Sequence, residues 1–129
     1  MWKELTTAIS HFNIPADWIG IRAVKETTRT HFVRDGLPQN NGKSLNMGAM
    51  IEVIVDGCLG YAATNSLHIS SLQNAAEIAY KQAVAASKYW IYPVSENTRP
   101  KVVGEYNSPF LEPFNAITPG EINELLIRI

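Results

Sequence analysis

Met47-Gly48-Ala49-Met50-Ile51-Glu52-Val53-Ile54-Val55-Asp56-Gly57-Cys58-Leu59-Gly60-Tyr61-Ala62-Ala63-Thr64-Asn65 carries the plainest structural signal in the 129-residue chain. Ala49, Ile51, Val53 and Val55 fall at alternate positions, so in an extended strand they share one face. Asp56-Gly57 follows directly, a pair that accepts the positive φ of a two-residue primed turn. The chain is expected to fold back there, with Val55 opposite Cys58, Val53 opposite Gly60 and Ile51 opposite Ala62. On the shared face one strand then carries large side chains and the other only Cys58, Gly60, Ala62 and Thr64, which leaves a shallow trough in the sheet.

The segment that follows is suited to fill that trough. Ser70-Ser71-Leu72-Gln73 has the residues of a capping box, and Leu72, Ala76, Ala79, Ala83 and Ala86 then recur at helical spacing. An alanine stripe lets a helix backbone approach a glycine-containing sheet face closely, and the helix is expected to end near Tyr89 or Trp90, before Pro93. Upstream, Leu5, Ala8, Ile9 and Phe12 predict a short amphipathic helix stopped by Pro15. Ile19, Ile21 and Ala23 alternate, and Thr27, Thr28 and Thr30 add β-branched residues, which reads as two strands with a turn near Glu26 to Arg29. The second strand is expected to run through His31, Phe32 and Val33 to Asp35-Gly36, and Pro38 to Ser44 reads as a loop. Downstream, Lys101 to Tyr106 reads as one more short strand. Thr118-Pro119-Gly120-Glu121 reads as a helix start with Thr118 as N-cap and Pro119 at the first helical position. The apolar stripe Ile122, Leu125, Leu126, Ile129 reaches the last residue, so the chain is expected to be a fragment of a longer protein.

Composition narrows the function. Eleven Lys and Arg against twelve Asp and Glu leave a net charge of −1, which supplies no pull towards a phosphate backbone or an anionic bilayer. Nucleic acid and membrane are therefore not expected partners. A single cysteine, Cys58, excludes an intrachain disulfide and multi-thiolate zinc sites, and it suits a reducing cytoplasm. No apolar run approaches the roughly 18 residues or more that a membrane-spanning helix needs.

Chemistry-bearing residues are sparse. Cys58 directly follows the turn glycine and faces the apolar side, as a structural thiol does. His11, His31 and His68 have no paired spacing for zinc. A ligand set assembled in space from His31, His68 and Glu52 is the alternative to solvated or core-edge histidines. Glu52 falls opposite Tyr61 on the other face of the hairpin, where the pair is either simply solvated or lines a groove. The glycines near Gly57 and Gly60 do not form a phosphate loop. Arg22, Lys25, Arg29 and Arg34 are interspersed with Glu26 and Asp35, the pattern of a solvated face. Trp18, Tyr61, Trp90, Tyr92, Tyr106 and Phe110 match no binding-module spacing and are expected to anchor core and loops.

The run Val55 to Leu67 with the alanine-rich helix behind it resembles the N-terminal domain of the TldD/PmbA family, whose members are described as modulators of DNA gyrase. The similarity extends from the Asp17 strand with Arg22, through Asp35-Gly36, to the stretch from Asn107 to Leu126, where Pro109-Phe110 and Pro113-Phe114 resemble the linker before the family's next helix. Where the family usually has Gly-x-Gly-x-Arg, this chain reads Gly48-Ala49-Met50-Ile51-Glu52. The resemblance implies a zinc metallopeptidase of two related subunits that encloses unfolded peptides. Its zinc is held by a His-Glu-x-x-x-His motif and a later cysteine, none of which lies in this chain.

The expected fold is α+β: a mainly antiparallel, curved sheet of four to five strands, with one long Ala-rich helix on one face and a short N-terminal helix. Residues 1–129 are expected to form one domain, with 107–129 beginning a linker and helix into a missing C-terminal region. The expected role is that of a cytoplasmic, non-catalytic domain, inactive alone and without its own metal or cofactor. It would shape a substrate cavity and meet a homologous subunit or a second copy. Gly57, Gly60, Tyr61, Ala62, Asn65 and Glu52 are the candidate structural or interface residues. The alternative is a freestanding peptide-binding or dimerisation module that uses an exposed strand edge.

Overall fold

The structure, a computed structural model, describes residues 2–89, 91–99, 101–113 and 115–129. Its elements run α1 (Trp2–His11), β1 (Trp18–Arg34), β2 (Leu37–Val55), β3 (Cys58–Thr64) and α2 (Ile69–Ala86). A 3-10 turn (Glu96–Thr98) and α3 (Pro119–Ile127) follow. The fold is α+β, and the three strands form an antiparallel sheet in the order β1-β2-β3. Two compact units are formed: Met1–Lys25 with Met47–Glu105, and Glu26–Asn46 with Tyr106–Ile129.

The first unit holds the core. β2 and β3 pair in the register read from the sequence, with Val55 opposite Cys58, Val53 opposite Gly60, Ile51 opposite Ala62 and Glu52 opposite Tyr61. Ile51, Val53 and Ala49 are buried against Leu72, Ala75, Ala76 and Ala79 of α2, and Leu5 and Ala8 of α1 join the same cluster. Each large aliphatic side chain taken out of water here contributes about 1.5–3 kcal/mol. Gly60 is where the two layers come closest. A Cβ built on it would overlap the Ala79 carbonyl oxygen and lie 2.7 Å from the Ala83 nitrogen, so the α2 main chain occupies the space a side chain would need.

Several expectations are corrected. Among the described residues the sheet has three strands, not four or five. β1 is uninterrupted through Glu26 to Arg29, because that segment contains no glycine or proline and its threonines favour extended backbone. β2 starts at Leu37, so the residues from Pro38 to Ser44 are strand rather than loop. The backbone ladder there does not require apolar alternation when both faces are solvated. Lys101 to Tyr106 is irregular, and Val102 and Val103 are exposed with no partner strand among the described residues. The N-cap of α2 is His68 and makes no side-chain cap hydrogen bond, so the predicted capping box at Ser70 to Gln73 does not form. The entry to α2 is held one step earlier, where Ser66 N–H donates to Thr64 Oγ1 at 3.1 Å. α2 ends at Ala86, and Trp90 and Phe114 lie outside the described residues. Tyr92, Tyr106 and Phe110 are exposed instead of anchoring a core.

In the second unit, β1 and β2 continue as a hairpin arm closed by Asp35-Gly36, with φ 51° and 71°. α3 begins with the capping box expected at Thr118. Thr118 N–H donates to Glu121 Oε2 at 2.8 Å, and Glu121 N–H donates to Thr118 Oγ1 at 3.3 Å. The Thr118 backbone N–H, and after it the Thr118 hydroxyl, hold the Glu121 carboxyl below its ordinary value.

Candidate functional site

The candidate residues from the sequence do not converge. Gly60 is buried beneath α2, and Ala62 lies on the same face of β3. Glu52 and Tyr61 stand opposite each other on the other face. Asn65 is exposed where β3 ends, and Gly57 sits in the turn with φ 73°. Cys58 is buried, as a structural thiol would be.

What gathers around Glu52 was not read from the sequence. After α2 the chain returns across the turn end of the hairpin as a strap of residues 93–99. It is tied down where Val94 N–H donates to the Gly57 carbonyl at 2.7 Å. Arg99 ends the 3-10 turn and reaches Glu52 with an Nη2 to Oε1 distance of 3.5 Å, and its guanidinium lies 5.9 Å from the Trp18 ring centroid. The Trp18 ring lies across Gly20, two residues along the same strand face, where a side chain would overlap it. Glu52, Arg99 and Trp18 thus form an ion pair whose cation lies over an indole, at the outer edge of cation–π range. Both charged side chains are more than half withdrawn from water, with 23% and 35% of their surface exposed.

Beside this cluster an open cleft of about 480 Å³ lies between strap and sheet, lined by Asp17, Ile54, Gly57 and the strap residues Val94 to Asn97. Ile54, 1% exposed, forms its apolar floor. Asp17 is fixed at its rim twice: its N–H donates to the Ile54 carbonyl at 2.9 Å, and its Oδ2 accepts from Asp56 N–H at 2.8 Å. Besides Glu52, the Trp18-x-Gly20 spacing is a sequence signal that could point to this arrangement, since the glycine leaves room for the ring. Arg99 lies in a polar run that reads only as the end of a helix.

The two Asp-Gly turns give the strap an internal control. Asp56 and Gly57 have φ of 48° and 73°, close to the 51° and 71° of Asp35 and Gly36. A Cβ on Gly36 meets nothing within 4 Å, whereas one on Gly57 would lie 2.6 Å from Pro93 Cβ. Gly36→Ala is expected to cost about 1 kcal/mol, the penalty of left-handed backbone for an L-residue. Gly57→Ala is expected to cost roughly 2–3 kcal/mol, because it also displaces the strap and the hydrogen bond to Val94. Urea unfolding of the two variants measures the difference, and exchange of the Val94 amide should quicken only in Gly57→Ala.

Among the described residues no group of three or more His, Cys, Asp or Glu side chains could hold a metal ion. The histidines stand apart: His11 Nδ1 donates to the Thr7 carbonyl at 2.7 Å, His31 Nδ1 donates to Asn41 Oδ1 at 2.7 Å, and His68 is the N-cap residue of α2, with no side-chain cap hydrogen bond. The arrangement can stack, pair charge and offer a polar cleft.

Residues 20–83 match the family model described as PmbA/TldA metallopeptidase domain 1. Residues 20–83 are thus a first domain of the PmbA/TldD family. No curated protein matches the chain. The PmbA/TldD match takes in the hairpin, the trough and α2 as far as Ala83. It leaves Asp17, Trp18 and the whole strap outside. No helix among the described residues is long and apolar enough to cross a membrane.

Proposed function

We propose that this chain is the non-catalytic first domain of a PmbA/TldD-type metallopeptidase, acting in the cytoplasm. It shapes the cavity that encloses unfolded peptide substrates and supplies part of the contact between subunits. The observation that carries the reading is the family match over residues 20–83, which covers the hairpin and helix that form the scaffold. The chemistry at the cleft supports it: an ion pair beside an indole and a polar rim can position an extended peptide but offer no activated nucleophile. The zinc implied by the family does not fit the donors described here: no three His, Cys, Asp or Glu side chains gather among the described residues, His11 and His31 bond to different groups, and Cys58 is buried.

The test is elemental analysis of the purified chain together with an assay on an unfolded fluorogenic peptide. The chain alone is expected to hold zinc well below stoichiometry and to release no product. Hydrolysis should arise when it is joined to a polypeptide carrying His-Glu-x-x-x-His, and should be lost when the first domain is deleted from that pairing. Stoichiometric zinc, or turnover by the chain alone, would overturn the proposal. Hydrolysis indifferent to the presence of this domain would favour a freestanding module.

A further inference from the structure

The sheet order β1-β2-β3 leaves two edges, and they are treated differently. Because Val55 and Cys58 flank a two-residue turn, Cys58, Gly60 and Ala62 direct their backbone groups to β2, and Leu59, Tyr61 and Ala63 direct theirs outward. The middle of that outward set is closed, since Tyr61 N–H donates to Gln82 Oε1 of α2 at 3.3 Å. β1 is the other edge. It runs for 17 residues, and its segment Glu26-Thr27-Thr28-Arg29-Thr30-His31-Phe32-Val33-Arg34 has no glycine or proline and four β-branched side chains. Edges of this length are ordinarily blunted by proline, bulges or a covering element, because they offer a template for another strand.

The unit to which this segment belongs is also short of interior. Among its described residues none is fully buried, and Phe32, Leu37 and Leu45 are each more than half exposed. We propose that the Glu26 to Arg34 edge of β1 pairs antiparallel with the same edge of a second copy, about a twofold axis at Thr30. This deepens the subunit-contact role proposed above and rests on it.

Charge selects the occupant and the register. About Thr30, Glu26 stands opposite Arg34 of the second copy and Arg34 opposite its Glu26, so opposite charges meet at both ends of the pairing. Between them Thr28 faces Phe32 and Thr30 faces itself. On the other face Thr27 meets Val33 and Arg29 meets His31. Moving the axis to Arg29 sets that cation against its own copy, and moving it to His31 leaves Glu26 without Arg34. The contact Arg34 makes within its own chain, to Asp35 at 3.7 Å, is almost fully solvated and leaves the guanidinium available.

Sedimentation equilibrium of the whole chain, from micromolar to sub-millimolar concentration, should show a monomer–dimer equilibrium. Glu26→Arg is expected to weaken it by about tenfold, since two attractive pairs become two repulsive ones. Glu26→Arg/Arg34→Glu should restore it. Thr30→Cys should form an interchain disulfide on mild oxidation. Phe32→Cys should not link to itself but should link to Thr28→Cys when the two are mixed. All five positions are solvent-exposed, and circular dichroism checks that each variant keeps the fold. A monomer throughout the range, a dimer blind to the charge reversal, or Phe32→Cys self-linking as readily as Thr30→Cys would overturn the proposal. So would an edge that takes up an unrelated extended peptide in preference to a second copy. The zinc and hydrolysis assays read the domain's role separately, so either conclusion can fail without the other.

Discussion

Gly60→Ala is expected to destabilise the first unit by about 3 kcal/mol or more, the upper end of what overpacking costs, because the obstruction is main chain and not a movable side chain. The added Cβ would overlap the Ala79 carbonyl oxygen and stand 2.7 Å from the Ala83 nitrogen. Making room for it means lifting α2 from the sheet, which uncovers Leu72, Ala76 and Ala79 together. The urea midpoint should fall sharply. Gly104→Ala, where a Cβ meets nothing within 4 Å, should leave it within about 0.5 kcal/mol of the parent. One further variant separates backbone crowding from side-chain crowding. Ala79→Gly removes a methyl but leaves the carbonyl in place, so it should not rescue Gly60→Ala.

That closeness of sheet and helix was legible because three signals agree on it. Alternation over Ala49 to Val55 sets the face, Asp56-Gly57 sets the register, and small residues on both layers set the separation. The long arm was not legible for the opposite reason. Its second strand, from Leu37 to Asn46, is solvated on both faces, so it carries no hydrophobic period. Its Asn and Gly content imitates a loop while the ladder to β1 keeps it extended. The capping box at Ser70 failed because the same hydroxyl chemistry was available earlier, at Thr64 and Ser66, where the chain turns out of β3.

The candidate site was less legible than the fold. Glu52 was visible as an odd carboxylate in an apolar strand, but its partner comes from 47 positions downstream, through a strap with no regular periodicity. The register placed Glu52 opposite Tyr61 correctly, yet pairing across a sheet says nothing of what crosses above it. The Glu52 carboxylate meets the Arg99 guanidinium, so the charge on that face is balanced by a group from a different segment.

Ile51→Ala should be the most damaging truncation of the sheet, at roughly 3–5 kcal/mol, above what Ile51→Val costs at about 1 kcal/mol. Ile51 is fully buried, and most of the helix residues over it are alanines. Alanine side chains have no rotamers with which to move into the space left behind, so little of the cavity can collapse. The trough makes a sharper claim, because it concerns where volume sits and not only how much there is. Ile51 and Ala62 are direct partners across the hairpin. Ile51→Ala/Ala62→Ile conserves total side-chain volume, and a core that merely needed apolar content would tolerate it. Here the transferred bulk would stand on β3, the strand whose neighbour Gly60 already touches the α2 main chain. The double variant should therefore unfold at a urea concentration no higher than Ile51→Ala alone. Recovery towards the parent midpoint would mean that the small face of β3 is not what seats the helix.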